Sequence, residues 1–497
     1  MRLQAADLAR KGLRKERLQW LRGTATEDGT HVLYWMQTSL RTKFNFALEV
    51  AVDAASRLKQ PLHILHTIET PATERHIAFL LESLVDVHTT LAKKNLHLSV
   101  AHGAKPSVEV ALLASKGASV VIVDHPYLRD ANALNQNFAQ SATTSVLQVE
   151  GDAVVPVEHA SDKEEHAART IRPKITKLLD KYLVPLEPAD ASNIPESKPL
   201  SETLQDCGWL DMSQSVDDLL ASFPSLDRSI FRVSTFKGGE TSAQANLASF
   251  LKNKLVKYDT SRNEPSGDGS SNMSPYLHYG NISPVDIALQ TKAFPGTGPA
   301  LSASKAAFLE ELIVRRELSM NFVWYNPRYD TFAALPAFAV QTLHDHADDA
   351  RPHTYTFEQL DKAKTADVYW NAAQLDMILT GKMHNYMRMY WGKKIIEWTA
   401  SPEDAFRYAI ELNDKYNLDG YDPNSYTGIA WVFGKHDQGW KERPIFGKVR
   451  YMNAEGLERK FNMAGYIGKI RKLAQARGLS VGSTLTLPPA ATKKRKR

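Results

Sequence analysis

Ser119-Val120-Val121-Ile122-Val123-Asp124 is the stretch whose reading decides the fold. Four β-branched or apolar residues in a row leave no polar face, so a strand here must be covered on both sides, as in a parallel sheet. Working outward, similar short runs recur at Val32 to Met36, Leu62 to Thr67, Leu96 to Val100 and Val146 to Val149. Helix-length stretches such as Phe44 to Leu58 and Glu74 to Lys93 lie between them. Strands alternating with helices predict a doubly wound, Rossmann-like α/β domain over residues 31–156.

On the N-terminal side, residues 1–30 form a basic extension in which Leu3, Leu8, Leu13, Leu18 and Leu21 stand among Arg and Lys. We expect a weakly amphipathic helix there; Asp7, Glu16 and the scarcity of serine argue against a transit peptide. On the C-terminal side, residues 157–225 read as an interdomain linker, polar and helix-like at first, then rich in Pro, Ser and Asp from Pro185 to Ser201. Beyond residue 226 the strand pattern stops. Helical periodicity follows at Ala245 to Tyr258, Ala303 to Phe322, Asp376 to Trp398 and Pro402 to Asp414, which predicts an all-helical domain over 226–477 and a basic tail over 478–497. Ser274 before Pro275 and Ser283 before Pro284 each predict an N-cap hydroxyl followed by proline in the first turn.

Composition narrows the function. The 497 residues are 43% hydrophobic and 24% charged, ordinary for a globular protein, and no apolar run approaches the roughly 20 residues of a membrane span. An intracellular monomer is expected. A single cysteine, Cys207, cannot form an intramolecular disulfide or a cysteine metal site, so any redox chemistry needs a bound cofactor or aromatic side chains. The net charge of +5 is segregated: residues 1–23 carry +5, residues 436–477 carry +6 and Lys493 to Arg497 carry +5, which leaves the rest at −11. Basic segments on an acidic body imply an anionic partner met at chosen places.

Common catalytic motifs are missing or misleading. There is no Walker A loop, no GxGxxG after the first strand and no HExxH. Gly478-Leu479-Ser480-Val481-Gly482 has the letters of an esterase elbow but follows a helical pattern where a strand is required. His344-Asp345-His346 reads as a surface turn, because neighbouring side chains diverge. The informative material is helical: Ser270-Ser271-Asn272-Met273-Ser274 before a helix start, a setting that favours phosphate; Gly381 to Trp391, mixing Arg388 with Met and aromatics; and Leu412 to Asn424, leading to Trp431.

Together with Phe308 to Leu318 and Trp370-Asn371-Ala372-Ala373-Gln374, these blocks closely resemble the photolyase and cryptochrome family, and within it the class II cyclobutane pyrimidine dimer photolyases. The resemblance covers nearly the whole chain, from Tyr34-Trp35-Met36-Gln37 through Tyr127-Leu128-Arg129 and Val149-Glu150-Gly151-Asp152 to Arg450-Tyr451-Met452. It implies flavin adenine dinucleotide (FAD) in the helical domain, its phosphates at Tyr258 and at Ser270, Ser271, Asn272, Met273 and Ser274. Arg388 and Asp419 are implied as an ion pair at the flavin edge, with the Arg fork engaging the carboxylate. Asn413 would face flavin N5, and Asp422 would shape the same loop. The reaction implied is light-driven splitting of cyclobutane dimers in UV-damaged DNA, with the dimer flipped out of the duplex.

Within that reaction the resemblance assigns Glu311 to the dimer carbonyls, Met389 and Trp431 to apolar contact with its bases, and Trp391 and Trp370 to flavin reduction, with Tyr390 and Trp398 as further steps. Arg443, Lys448 and Arg450 would meet phosphate, Arg450 filling the space left by the dimer. In some relatives a second aromatic follows the glutamate on its helix; here Leu312, Ile313, Val314 and Arg315 follow instead. A second, light-harvesting chromophore in the α/β domain is allowed but not identified. A cryptochrome-type photoreceptor shares the fold and flavin and is the alternative; a scaffold with a dead flavin site would need a broken site, which these residues do not show. The terminal Lys and Arg run resembles a nuclear localisation signal, giving a nuclear protein in a eukaryote and a cytoplasmic one otherwise.

Overall fold

Ala118–Asp124 is a strand buried along its whole length, at the heart of a seven-stranded sheet. In a computed structural model, which describes residues 2–69, 73–482 and 484–486, the strands are β1 (Leu18–Arg22), β2 (His31–Trp35), β3 (Leu62–Ile68), β4 (Leu98–His102), β5 (Ala118–Asp124), β6 (Val146–Val149) and β7 (Trp209–Leu210). Their order is β1-β6-β5-β2-β3-β4-β7. The five inner strands are parallel, and β1 and β7 close the two edges antiparallel. Leu33, Trp35, Val121 and Val123 pack against Val110, Ala114 and Phe138, from the helices Ser107–Ser115 and Arg129–Ser141. The intervening Val32, Tyr34, Val120 and Ile122 point the other way, where the helix Phe46–Leu58 packs. Covered faces on both sides explain why these strands read as continuous apolar runs.

The order of the parallel strands reverses between β2 and β5, the point at which α/β sheets of this kind take up ligands at the strands' carboxyl ends. Here that point is filled from within. Asp124 Oδ2 accepts hydrogen bonds from the backbone N–H groups of Gln37, Thr38 and Ser39 at 2.8, 2.9 and 3.1 Å, and Oδ1 accepts one from the Tyr34 hydroxyl at 2.9 Å. Three successive amides that could cradle a phosphate are satisfied by the protein's own carboxylate. Arg41, fully buried, donates to the carbonyls of Gly280 and Gly151, both at 2.9 Å. Gly280 has φ +64°, and a Cβ there would meet the Thr38 carbonyl oxygen at 1.8 Å, so only glycine fits.

The N-terminal segment departs from the helix expected of it. Only Ala5–Leu8 is α-helical; Lys15–Arg17 is a 3-10 turn and Leu18–Arg22 is β1, paired with β6. Its leucines, mostly five apart, fit no helical period, and the open edge of β6 offers backbone partners that a solvated helix lacks. The segment expected as linker contains the helix Ala168–Tyr182 and contributes β7 to the opposite edge. Pro185 to Pro199 has neither helix nor strand.

The chain forms two compact units. The first comprises the described residues of Met1–Val256, Ser271–Pro327 and Asp422–Asn424; the second comprises those of Lys257–Ser270, Arg328–Tyr421 and Ser425–Arg497. These units group residues by compactness, whereas the five sequence segments follow pattern and composition. In the second unit the helices Val368–Thr380, Asn385–Trp398, Pro402–Tyr416 and Met463–Ala476 pack as a bundle. Asp376 to Trp398, expected as one helix, is broken at Gly381, whose φ of +74° ends the first helix in the left-handed conformation. Among the described residues no strand follows β7, and no helix is long and apolar enough to cross a membrane.

Candidate functional site

The serine-rich stretch departs from its expected cap. Ser274 is the first residue of the helix Ser274–His278, not its N-cap, and no side chain caps that start. Ser283 does cap as expected, accepting from the Val285 N–H at 3.2 Å. Asn272 takes a left-handed φ of +58°, which turns the chain sharply just before the helix. The Ser271 carbonyl and the Met273 sulfur both receive the Asn246 side-chain amide, at 2.9 and 3.0 Å. Ser274 Oγ is buried and makes no hydrogen bond. Ser271, Asn272, Met273 and Ser274 belong to the first unit; Ser270 and Tyr258, which opens the short helix Tyr258–Ser261, belong to the second.

The loop after the helix Pro402–Tyr416 brings Asp419 to Arg388 within the second unit. The contact is a single one, Nη2 to Oδ1 at 3.5 Å, and not the fork expected. Arg388 Nε is buried without a hydrogen bond. Beside them the Lys382 ammonium is pushed down to about 8, by burial first, with Asp419 opposing and Arg388 reinforcing that shift. Asn413, also buried, donates from Nδ2 to Asp414 Oδ1 at 3.0 Å and to Ser425 Oγ at 2.8 Å, while its Oδ1 accepts from Asn417 Nδ2 at 2.9 Å. In the first unit Asp422 accepts from Asn424 N–H at 2.8 Å and faces His278 Nδ1 at 3.3 Å. Burial would raise its carboxyl, but His278 and its other partners hold it below the usual range.

Trp391 and Trp370 stack at 6.2 Å between centroids with planes 7° apart, and neither has exposed surface. Trp370 Nε1 donates to the Trp391 carbonyl and Trp391 Nε1 to Gln374 Oε1, both at 2.9 Å, which fixes the two rings. Trp398 lies edge-on to Trp370 at 5.6 Å, and Tyr355, half-buried, lies edge-on to Trp398 at 5.0 Å. The aromatic series thus runs from the core outward. Tyr355 was missed by sequence reasoning: it is 43 residues from Trp398 and no local pattern links them. Tyr390 is held by a hydrogen bond from its hydroxyl to Asp367 and branches from the series.

Glu311 sits in a π-helical turn, Glu310–Arg315, between the helices Pro299–Leu309 and Arg316–Tyr325. The sequence suggests one continuous helix here; the wide turn is a distortion that recurs at functional sites. Its neighbour Glu310 takes Arg172 through two contacts, at 2.6 and 3.0 Å. In the second unit Met389 and Trp431 are half-buried, Trp431 edge-on to His436 at 5.6 Å. Arg443, Lys448 and Arg450 are exposed on one loop, whose Ile445, Phe446 and Val449 are buried. Arg443 and Gly447 form an antiparallel bridge, and the Arg450 guanidinium lies 5.2 Å over Trp440, an exposed ring that the sequence did not single out. Lys469 and Arg471, also in the basic stretch 436–477, are half-buried, and Arg471 donates to the Leu485 carbonyl.

His344 and Asp345 end the helix Ala337–Asp345, with His346 as its C-cap, where a surface turn was expected. His344 meets Glu403 at 2.6 Å, whereas His346 meets Asp349 at 2.6 Å and Glu442 at 3.2 Å. Gly478 to Gly482 follows the helix Met463–Ala476 with no strand before it. Among the described residues no group of three or more His, Cys, Asp or Glu side chains is placed to hold a metal.

The family model described as DNA photolyase matches residues 32–195. A deoxyribodipyrimidine photo-lyase of Methanothermobacter thermautotrophicus is 43% identical over 462 residues, 92% of this chain and 98% of the relative. The chain belongs to the DNA photolyase family. A photolyase of the same name from Arabidopsis thaliana is 39% identical over 89% of both chains, and one from Potorous tridactylus is 38% identical over 88% of this chain and 81% of its own. Among solved photolyase structures, a class III enzyme from Agrobacterium tumefaciens has a TM-score of 0.64 at 20% identity, covering 93% of this chain and 94% of its own. An archaeal photolyase from Sulfolobus tokodaii, solved with two FAD molecules, has a TM-score of 0.62 at 14% identity over 90% of each chain. At these identities the two structures show a shared fold alone.

Proposed function

We propose that this photolyase-family chain is a class II deoxyribodipyrimidine photolyase, which uses light to split cyclobutane pyrimidine dimers in DNA with FAD as its cofactor. The observation that carries this reading is the buried, parallel stack of Trp391 on Trp370, continued by Trp398 and Tyr355. Four aromatic rings within 5.0–6.2 Å of their neighbours give an electron a path from the core to the surface, which hydrolytic chemistry does not need.

The residues fit a flavin. Ser274 Oγ and Arg388 Nε are buried polar atoms with no hydrogen bond, a costly state that a polar ligand relieves. Within the second unit Arg388, Asp419 and Asn413 would hold the ring. Bound and reduced, the flavin supplies the electron that light sends to the dimer. The chain's own residues do the rest. Glu311, in the π-helical turn, would meet the dimer carbonyls. Met389 and Trp431 offer soft and flat apolar surface to the bases. Arg443, Lys448 and Arg450 meet phosphate, with Trp440 and Arg450 set to fill the gap that a flipped dimer leaves.

An absorption spectrum of the purified protein, followed by a blue-light assay on an oligonucleotide containing one thymine dimer, tests the reading. Flavin bands and light-dependent loss of the dimer are expected. Absence of flavin, or repair no faster in light than in darkness, overturns it. Flavin with no repair in either condition would instead favour a photoreceptor.

A further inference from the structure

We propose that Ser425 and Asp414 lock the side chain of Asn413 so that its oxygen, never its nitrogen, is offered to the flavin ring, and that this lock favours the reduced cofactor. The inference rests on the reading that Asn413 faces flavin N5 and deepens it by fixing the polarity of that contact.

Counting protons carries the argument. Asp414 Oδ1 receives Ser425 Oγ at 2.5 Å, the Tyr421 N–H at 3.0 Å and Asn413 at 3.0 Å. A carboxylate oxygen so surrounded only accepts, so each of these three groups must bring a hydrogen. Ser425 has one hydroxyl hydrogen, and it is spent on Asp414. Toward Asn413, at 2.8 Å, Ser425 Oγ can therefore only accept. Both amide hydrogens of Asn413 are then committed, one to Asp414 and one to Ser425. On its other side Asn413 Oδ1 accepts from Asn417 Nδ2 at 2.9 Å, which agrees with the same orientation.

An amide ordinarily offers a donor or an acceptor by turning over. Turning Asn413 over here would set its oxygen against the Asp414 carboxylate and its NH2 against the Asn417 NH2, a double mismatch inside the protein. What remains for a further partner is one lone pair on Oδ1. A reduced flavin carries a hydrogen at N5 and an oxidised one does not, so an acceptor fixed at that point complements only the reduced form. Ser425 and Asp414 are positioning residues in this scheme, acting through Asn413, and the helix Pro423–Val432 places Ser425 against the helix Pro402–Tyr416 that bears the other two.

The test is a dye-equilibrated reductive titration of flavin-loaded wild type, S425A, D414N and S425T, followed by flavin absorbance. Losing the preference should lower the ratio of reduced to oxidised flavin at a fixed potential about tenfold, or about 30 mV for a two-electron couple, in S425A and D414N. S425T keeps the hydroxyl and should titrate as wild type. Flavin-loaded S425A with the wild-type potential overturns the lock, and so does an equal shift in S425T, which would mark a packing effect. Should D414N fail to fold, the S425A and S425T pair decides alone. Wild-type protein that binds no flavin refutes the proposed function, a result distinct from any of these.

Discussion

Trp391 has no exposed surface and its indole nitrogen donates to the buried Gln374 Oε1, so phenylalanine keeps an aromatic ring there but leaves that acceptor unpaired, at about 1–3 kcal/mol of stability. W391F should fold, retain flavin and lose most of its photoreduction under blue light, while protein reduced chemically beforehand keeps its repair. Absorbance during illumination and a dimer assay in the same cuvette check both halves. Glu317 invites a different substitution. Burial pushes its carboxyl up from the ordinary 4.5 to about 8, against the Val154 and Val155 N–H groups that it accepts at 2.7 and 3.2 Å. Between those two values the folded chain holds a proton that the unfolded chain has released, so stability falls as pH rises through the window, by about 1.4 kcal/mol per unit at most. Gln keeps the accepting oxygen and does not titrate; E317Q should therefore show a flatter melting temperature from about pH 5 to about pH 8. An unchanged slope would mean that Glu317 is ionised in the folded protein. At this scale the sequence singles out Trp370, Trp391, Arg388 and Asn413 because they stand in long motifs, and the structure stacks the first two and sets Arg388 beside Asp419. Tyr355 and Trp440 were not legible there, since each acquires its role from a ring or guanidinium brought to it by folding.

The edge strand β1 was the element least visible in the sequence, and it shows why. Arg17, just before it, is buried at 2% exposure, bonded to Glu150, donating to the carbonyls of Ala153 and Val154, with its guanidinium 4.4 Å over Phe46. Its basic neighbours make this segment look solvated; only the partner at position 150 reveals a buried pair. R17L strands Glu150 in the interior, a loss expected to cost roughly 3–5 kcal/mol, and should lower the melting temperature markedly. A variant that melts like wild type would show the pair to be dispensable. Parallel strands, by contrast, were read to within two residues at most ends, because burial on both faces leaves unbroken apolar runs. Helices were found but not their interruptions. Gly381 announces its stop by residue type, whereas the π turn at Glu310–Arg315 leaves the apolar spacing almost unchanged and is invisible without the backbone.

Over the whole molecule the charge segregates into segments with different fates. The N-terminal basic residues partly fold inward, as Arg17 does, and Lys493 to Arg497 lie outside the described residues. Of the segment 436–477, the helix Met463–Ala476 turns Arg471 inward, while Lys441, Arg443, Lys448 and Arg450 are exposed on one loop and Arg459, Lys460 and Lys472 are exposed beyond it. Binding to a duplex through phosphates releases counterions, and log K then falls against log salt with a slope near −0.9 for each phosphate contact. Replacing Arg443 and Lys448 together by alanine should flatten that slope by about 1.8 if each meets one phosphate. Because phosphate contacts carry no information about the lesion, affinity for intact and for dimer-containing duplex should fall by the same factor, and their ratio should hold. Arg450 should behave otherwise. Seated over Trp440 and proposed to fill the gap that a flipped dimer leaves, it would meet the distorted duplex and not regular backbone, so R450A should erode the preference for damaged DNA more than it changes the salt slope. Titrations of both duplexes at several salt concentrations separate the two behaviours. A slope unmoved by R443A/K448A would remove this loop from the DNA-binding surface and return the partner of the basic segment to question.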